Sequence, residues 1–93
     1  MRYEWDSIKR ASTLQERGID FVDAVRIFSG PTLEWSRWPQ SYAERRIVAL
    51  GMVEGVELVV VYAQLTLTRR RVISARRAKR KERRLYAQAY PRR

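Results

Sequence analysis

At 93 residues, with neither cysteine nor histidine, the chain has room for one small two-layer domain. It excludes disulfides, thiolate metal sites, and the imidazole that most often serves as general base or zinc ligand. Its net charge of +10 is local: residues 69–93 hold twelve of the twenty lysines and arginines against one acid, Glu82, a net +11, while residues 1–68 hold eight bases and nine acids, a net −1. Hydrophobic content of 45% excludes a disordered polyelectrolyte.

Residues 2–5 alternate charged and aromatic side chains and predict a short strand. Asp6 suits the N-cap of a helix over 7–17, with Ile8, Ala11 and Leu14 as its apolar stripe and Gly18 as its left-handed stop. A second helix begins at Asp20, where Phe21, Ala24, Val25 and Phe28 recur at i, i+3, i+4, i+7 and Gly30-Pro31 closes it. Asp20 and Asp23 have capping-box spacing, which explains the nearest carboxylate pair without a metal. Residues 31–44 then read as a connection carrying Trp35, Trp38 and Pro39. Its tryptophans have two open roles, packing as a lid over the core edge or stacking on bases.

Three strands follow, over 46–53, 56–64 and 67–74, with a hairpin turn at Glu54-Gly55 and a second turn around Leu65-Thr66. The middle strand is almost wholly apolar, as a covered central strand requires. Strict alternation in the third places Arg69, Arg71 and Ile73 on one face and Arg70, Val72 and Ser74 on the other, and a slip of one residue exchanges Arg70 with Arg71. A last helix over 79–90 carries Tyr86, Leu85 and Ala89, with Pro91 beyond its end. The order β-α-α-β-β-β-α makes the expected fold class α+β: helices packed on a small antiparallel sheet, in a single domain over 1–93. The basic segment 69–93 thus falls on a strand and a helix. It suits a polyanion such as nucleic acid, whose condensed counterions are released on binding, although a single charge run is also what a solvated helix face looks like. No apolar run approaches signal-peptide or membrane-span length, so a soluble cytoplasmic protein without a membrane partner is expected.

Three stretches, in order, resemble the BrnT toxin family. Tyr3-Glu4-Trp5-Asp6 with Lys9 and Gly18-Ile19-Asp20-Phe21 is similar to that family's W-D-x-x-K … H-G-[IV]-x-F opening. The run Glu44 to Gly51 resembles its E-x-R-x-x-x-x-G strand, and Arg71-Val72-Ile73-Ser74-Ala75-Arg76 with Glu82, Arg83 and Tyr86 resembles its R-I-I-S-A-R … E-R-x-x-Y signature. The resemblance implies a RelE-like fold and a metal-independent endoribonuclease of a type II toxin–antitoxin pair, cleaving mRNA to stop translation and needing no cofactor. It implies as partner a BrnA-like ribbon-helix-helix antitoxin, with promoter DNA reached only through the complex. The chain departs from the family where Glu16-Arg17 replaces Lys-His, where Ala63-Gln64-Leu65 replaces a polar trio, and where Lys79 replaces a helix-capping Thr. A second reading follows from those losses: a catalytically degraded member that survives as an RNA- or antitoxin-binding protein.

Metal-free RNA cleavage needs a base for the 2′-OH, cations for a pentacoordinate phosphorane, and an acid for the 5′-oxygen. Arg71 and Arg76 are the expected stabilising cations, because the planar guanidinium grips phosphate with two parallel bonds. Glu82, the only acid of the basic segment, and Tyr86 complete the expected catalytic set, with Glu44 as an alternative base. Lys9, Arg46, Arg69, Ser74, Arg77, Lys79 and Arg80 are the expected RNA contacts, and no residue is assigned to a metal. The antitoxin is expected to be acidic and to cover the basic strand–helix corner, with Trp35 or Trp38 as anchors.

Overall fold

A computed structural model describes residues 1–37 and 44–91. Strand β1, Arg2–Glu4, leads into helix α1, Ser7–Arg17. The Asp6 carboxylate accepts from the Ile8 and Lys9 amides, and Gly18 ends the helix in the left-handed conformation. Helix α2, Phe21–Ala24, tightens at once into a 3₁₀ turn over Val25–Ser29. Strands β2 (Leu33–Arg37), β3 (Arg46–Val53), β4 (Val56–Thr66) and β5 (Arg69–Arg77) precede the last helix, α3, Arg80–Ala89. The sheet order is β1-β5-β4-β3-β2; β1 runs parallel to β5 and the other neighbours are antiparallel.

The α+β class stands, with four refinements. Part of the expected 31–44 connection is β2, an edge strand held by main-chain pairing with β3 while four of its five side chains are exposed. Its alternation, Leu33-Glu34-Trp35-Ser36, is only two apolar residues long and lies between Pro31 and Pro39, too short to stand out from a loop. Trp38 and Pro39 lie outside the described residues. The last hairpin turns at Leu67 and Thr68, not at Leu65-Thr66, so Leu67 is a fully exposed tip and β5 runs on to Arg77. The expected stripe of α1 faces outward: Ile8, Ala11 and Leu14 are exposed, and the helix is tied down by polar groups, Arg10 to Asp20 and Arg17 to the Ala75 carbonyl. Finally, tightening of the second helix brings Ile27 fully into the core in addition to Phe21 and Ala24, and leaves Phe28 half-buried.

The sheet has a core on each face. On one, α2 and the 3₁₀ turn cover Ala49, Leu58, Val60, Tyr62, Val72 and Ala75. Gly51 makes this possible, since a Cβ there would lie 2.6 Å from Ile27 Cβ. On the other, Tyr86 and Ala78 pack on Val48, Leu50 and Val59. The Tyr86 and Tyr90 hydroxyls donate to the Pro31 and Thr32 carbonyls, which fastens α3 over the entry to β2. That helix covers only one end of its face; the other end is where the charge gathers.

Candidate nucleic-acid interface

The decisive local feature is a β-bulge in β5. Val61 pairs with Ser74 and Tyr62 with Val72, so Ile73 has no partner of its own. One extra residue reverses the alternation. Val72 and Ala75 therefore share the α2 core, and Arg69, Arg71, Ser74 and Arg76 share the α3 face, an arrangement strict alternation cannot give. Arg70 goes to the opposite side, where its guanidinium lies 4.8 Å from the Phe28 ring centre and 4.5 Å from that of Tyr62.

Register then defines a row across the open end of the α3 face. Arg37 pairs with Arg46, Arg46 with Ala63, Ala63 with Arg71, and Arg71 with Glu4. Three arginines thus stand in line, with the small Ala63 between Arg46 and Arg71, whose backbones are two strands, about 10 Å, apart. The next row is Trp35, Val48, Val61, Ser74; the one after it, Leu33, Leu50, Val59, Arg76, runs beneath α3. From Arg71 to Arg76 is four residues along the partner strand, about 13 Å. The two expected stabilising cations are not brought together.

Each β5 arginine of this face meets a different carboxylate. Arg69 reaches Glu4 at 2.9 and 3.0 Å. Arg76 and Glu82 form a two-armed pair with both nitrogen–oxygen distances at 2.8 Å. Arg71 faces Glu44 with a single nitrogen, 3.4 and 3.5 Å from the two oxygens, much the loosest of the three. Glu82 also accepts the Lys79 amide at 2.7 Å, half of a capping box whose other half Lys79, having no acceptor, cannot supply. Arg76, then the Lys79 amide, hold the Glu82 carboxyl down at about 2, and the same pairing raises Arg76.

Among the other expected contacts, Ser74 lies on this face and Lys79 and Arg80 are exposed where α3 begins. Arg77 leaves it, pairing with Leu58 on the α2 side and lining a cleft with Asp20 and Asp23. Lys9 is exposed on α1, a helix that packs against β5. Arg37 and Glu4 were missed, because their place in the row depends on β2 and on the parallel β1–β5 pairing. Among the described residues no three Asp or Glu side chains gather as metal ligands, and no helix is long and apolar enough to cross a membrane.

Comparison with known proteins places the chain in a family. Residues 5–82 match the family model described as ribonuclease toxin, BrnT, of type II toxin–antitoxin system. A search of curated protein sequences returns no match. The fold is similar to that of the Brucella abortus ribonuclease toxin BrnT, with a TM-score of 0.62 and 26% identity over 86% of this chain and 99% of the other. A match covering most of the chain, carried by both sequence and fold, means that the chain belongs to the BrnT family of type II toxin–antitoxin ribonuclease toxins.

Proposed function

We propose that this protein is a metal-independent endoribonuclease that cleaves mRNA, with its chemistry at the Arg37–Arg46–Arg71 row. The supporting observation is the loose Arg71–Glu44 contact beside two further arginines on the part of the sheet face that α3 leaves open. A phosphate can displace a carboxylate held at 3.4 Å by one nitrogen far more easily than one held by two bonds of 2.8 Å.

In this mechanism Arg46 and Arg71, the register partners of the buried Ala63, bracket the scissile phosphate. Glu44, released from Arg71, takes the 2′-OH proton, and the alkoxide attacks phosphorus in line. Charge building on the non-bridging oxygens is met by the two guanidinium groups, a contribution of about 3–4 kcal/mol for each well-placed donor. The bond to the 5′-oxygen breaks and water protonates it, leaving a 2′,3′-cyclic phosphate and a 5′-hydroxyl. Arg76, Glu82 and Tyr86 serve to hold α3: the first two are locked to each other, and the Tyr86 hydroxyl is committed to Pro31. Ser74, Arg69, Lys79, Arg80 and Lys9 extend the positive surface for backbone phosphates, while Arg77 lies on the wrong side of the sheet to join them.

The antitoxin in this reading is a BrnA-like protein with an acidic segment that covers the row, and promoter DNA is met only through that complex. The protein works in the cytoplasm, where mRNA is found.

The test is incubation of a mixed RNA with purified protein in excess EDTA, followed by end-group analysis of the fragments. Fragments with 5′-hydroxyl and 2′,3′-cyclic phosphate ends are expected. Intact RNA with a folded protein that still binds it would transfer the reading to the degraded, binding-only member, which the absence of any histidine favours.

A further inference from the structure

We propose that Trp35 is a base-stacking platform that makes this face select single-stranded RNA over duplex. The inference rests on the ribonuclease reading for the identity of the ligand and adds the element that tells one form of RNA from the other.

Trp35 is the one aromatic among the exposed large hydrophobic residues described, with 44% of its surface accessible. It is two residues from Arg37 on β2 and therefore points to the same side of the sheet, about 7 Å away along the strand. Its neighbours across the sheet are Val48, which is buried, and then Val61. The indole thus stands over an apolar shelf directly beside the row in which Arg37 pairs with Arg46. A partly exposed ring next to a row of guanidinium groups suits a nucleotide whose phosphate lies on the row and whose base has left its stack. Duplex RNA offers the same phosphates but keeps its bases paired and stacked, so it gains nothing from the indole.

An apolar anchor for a protein partner would need a neighbouring exposed apolar patch. On its own side of β2 the neighbours of Trp35 are Leu33, which is partly buried, and the exposed Arg37, so what adjoins the indole at the surface is a charge and not a wider apolar patch. Charge and ring together favour the nucleic acid.

The measurement is binding of a 2′-O-methyl single-stranded oligonucleotide, which cannot be cleaved, and of the same sequence as a duplex. Both are titrated by fluorescence anisotropy against the wild type, Trp35→Ala and Trp35→Phe. Loss of one stacked base weakens single-strand binding about 5- to 100-fold in Trp35→Ala. Trp35→Phe, which keeps a ring, recovers most of it, and duplex affinity is unchanged in both. An equal loss for duplex and single strand, or no loss at all, overturns the proposal, as does a Trp35→Ala variant impaired only in antitoxin binding. Since no bond is cut in this assay, single-strand selectivity that depends on Trp35 survives even if the wild type cleaves nothing, and cleavage without that selectivity leaves the ribonuclease reading standing alone.

Discussion

Arg76 and Glu82 grip each other with two parallel bonds of 2.8 Å, and the same carboxylate caps α3 through the Lys79 amide. In the proposed mechanism a pair locked in this way holds the fold rather than the phosphate. Glu82→Gln should cost about 1–2 kcal/mol, a charged hydrogen bond discounted because Arg76 is about one-third exposed. Guanidinium denaturation of the purified variant measures it.

The same pair sets an acid limb. The Glu82 carboxyl sits at about 2 in the folded protein, against 4.5 for an unperturbed glutamate. Its contribution is therefore full above pH 4.5 and is lost as pH falls from there towards 2. Thermal melts of the wild type between pH 5 and 2.5 should show a decline that is shallower in Glu82→Gln. Parallel curves for the two proteins would contradict this.

Gly51→Ala forces a methyl to within 2.6 Å of Ile27 Cβ, so the 3₁₀ turn must move off β3. Overpacking of this kind costs about 1–3 kcal/mol. In a domain of this size that is a fall in Tm of roughly 4–8 °C per kcal/mol, read by calorimetry.

The bulge at Ile73 separates neighbours that look interchangeable. Arg70→Ala removes a guanidinium stacked on Phe28 and Tyr62 and should lower stability by about 0.5–2 kcal/mol while cleavage per folded molecule persists. Arg71 is half-exposed and loosely paired, so Arg71→Ala should leave Tm nearly unchanged. Denaturation and cleavage assays run side by side on the two variants distinguish them.

Much of the fold was legible because it rests on local chemistry. Asp6 and Gly18 mark the ends of α1 in any context, and the apolar run of β4 can only be a covered central strand. The three family stretches fall on α1, on β3 with its approach, and on β5 with α3. What escaped depends on non-local geometry. The brief alternation of Leu33-Glu34-Trp35-Ser36-Arg37 is too short to announce an edge strand, and its main chain rather than its side chains holds it to β3. The bulge at Ile73 is set by pairing with β4, and without it Arg71 and Arg76 cannot be placed on one face. Composition picked out Glu82 as the lone acid of a basic segment. An ion pair between Glu82 and Arg71 or Arg76 is one open reading of that isolation; which arginine takes it is decided by the β5–α3 corner, which brings Arg76 within 2.8 Å.

The most direct test of the site compares Arg71→Ala with Arg76→Ala in RNA cleavage under EDTA, each normalised to its folded fraction. Arg71→Ala should lose about 10²- to 10³-fold in rate at an unchanged Tm, the usual effect of removing one transition-state contact. Arg76→Ala should be less stable yet cleave at close to the wild-type rate per folded molecule. Full cleavage by Arg71→Ala, or an equal loss in a well-folded Arg76→Ala, would contradict a site centred on the Arg37–Arg46–Arg71 row.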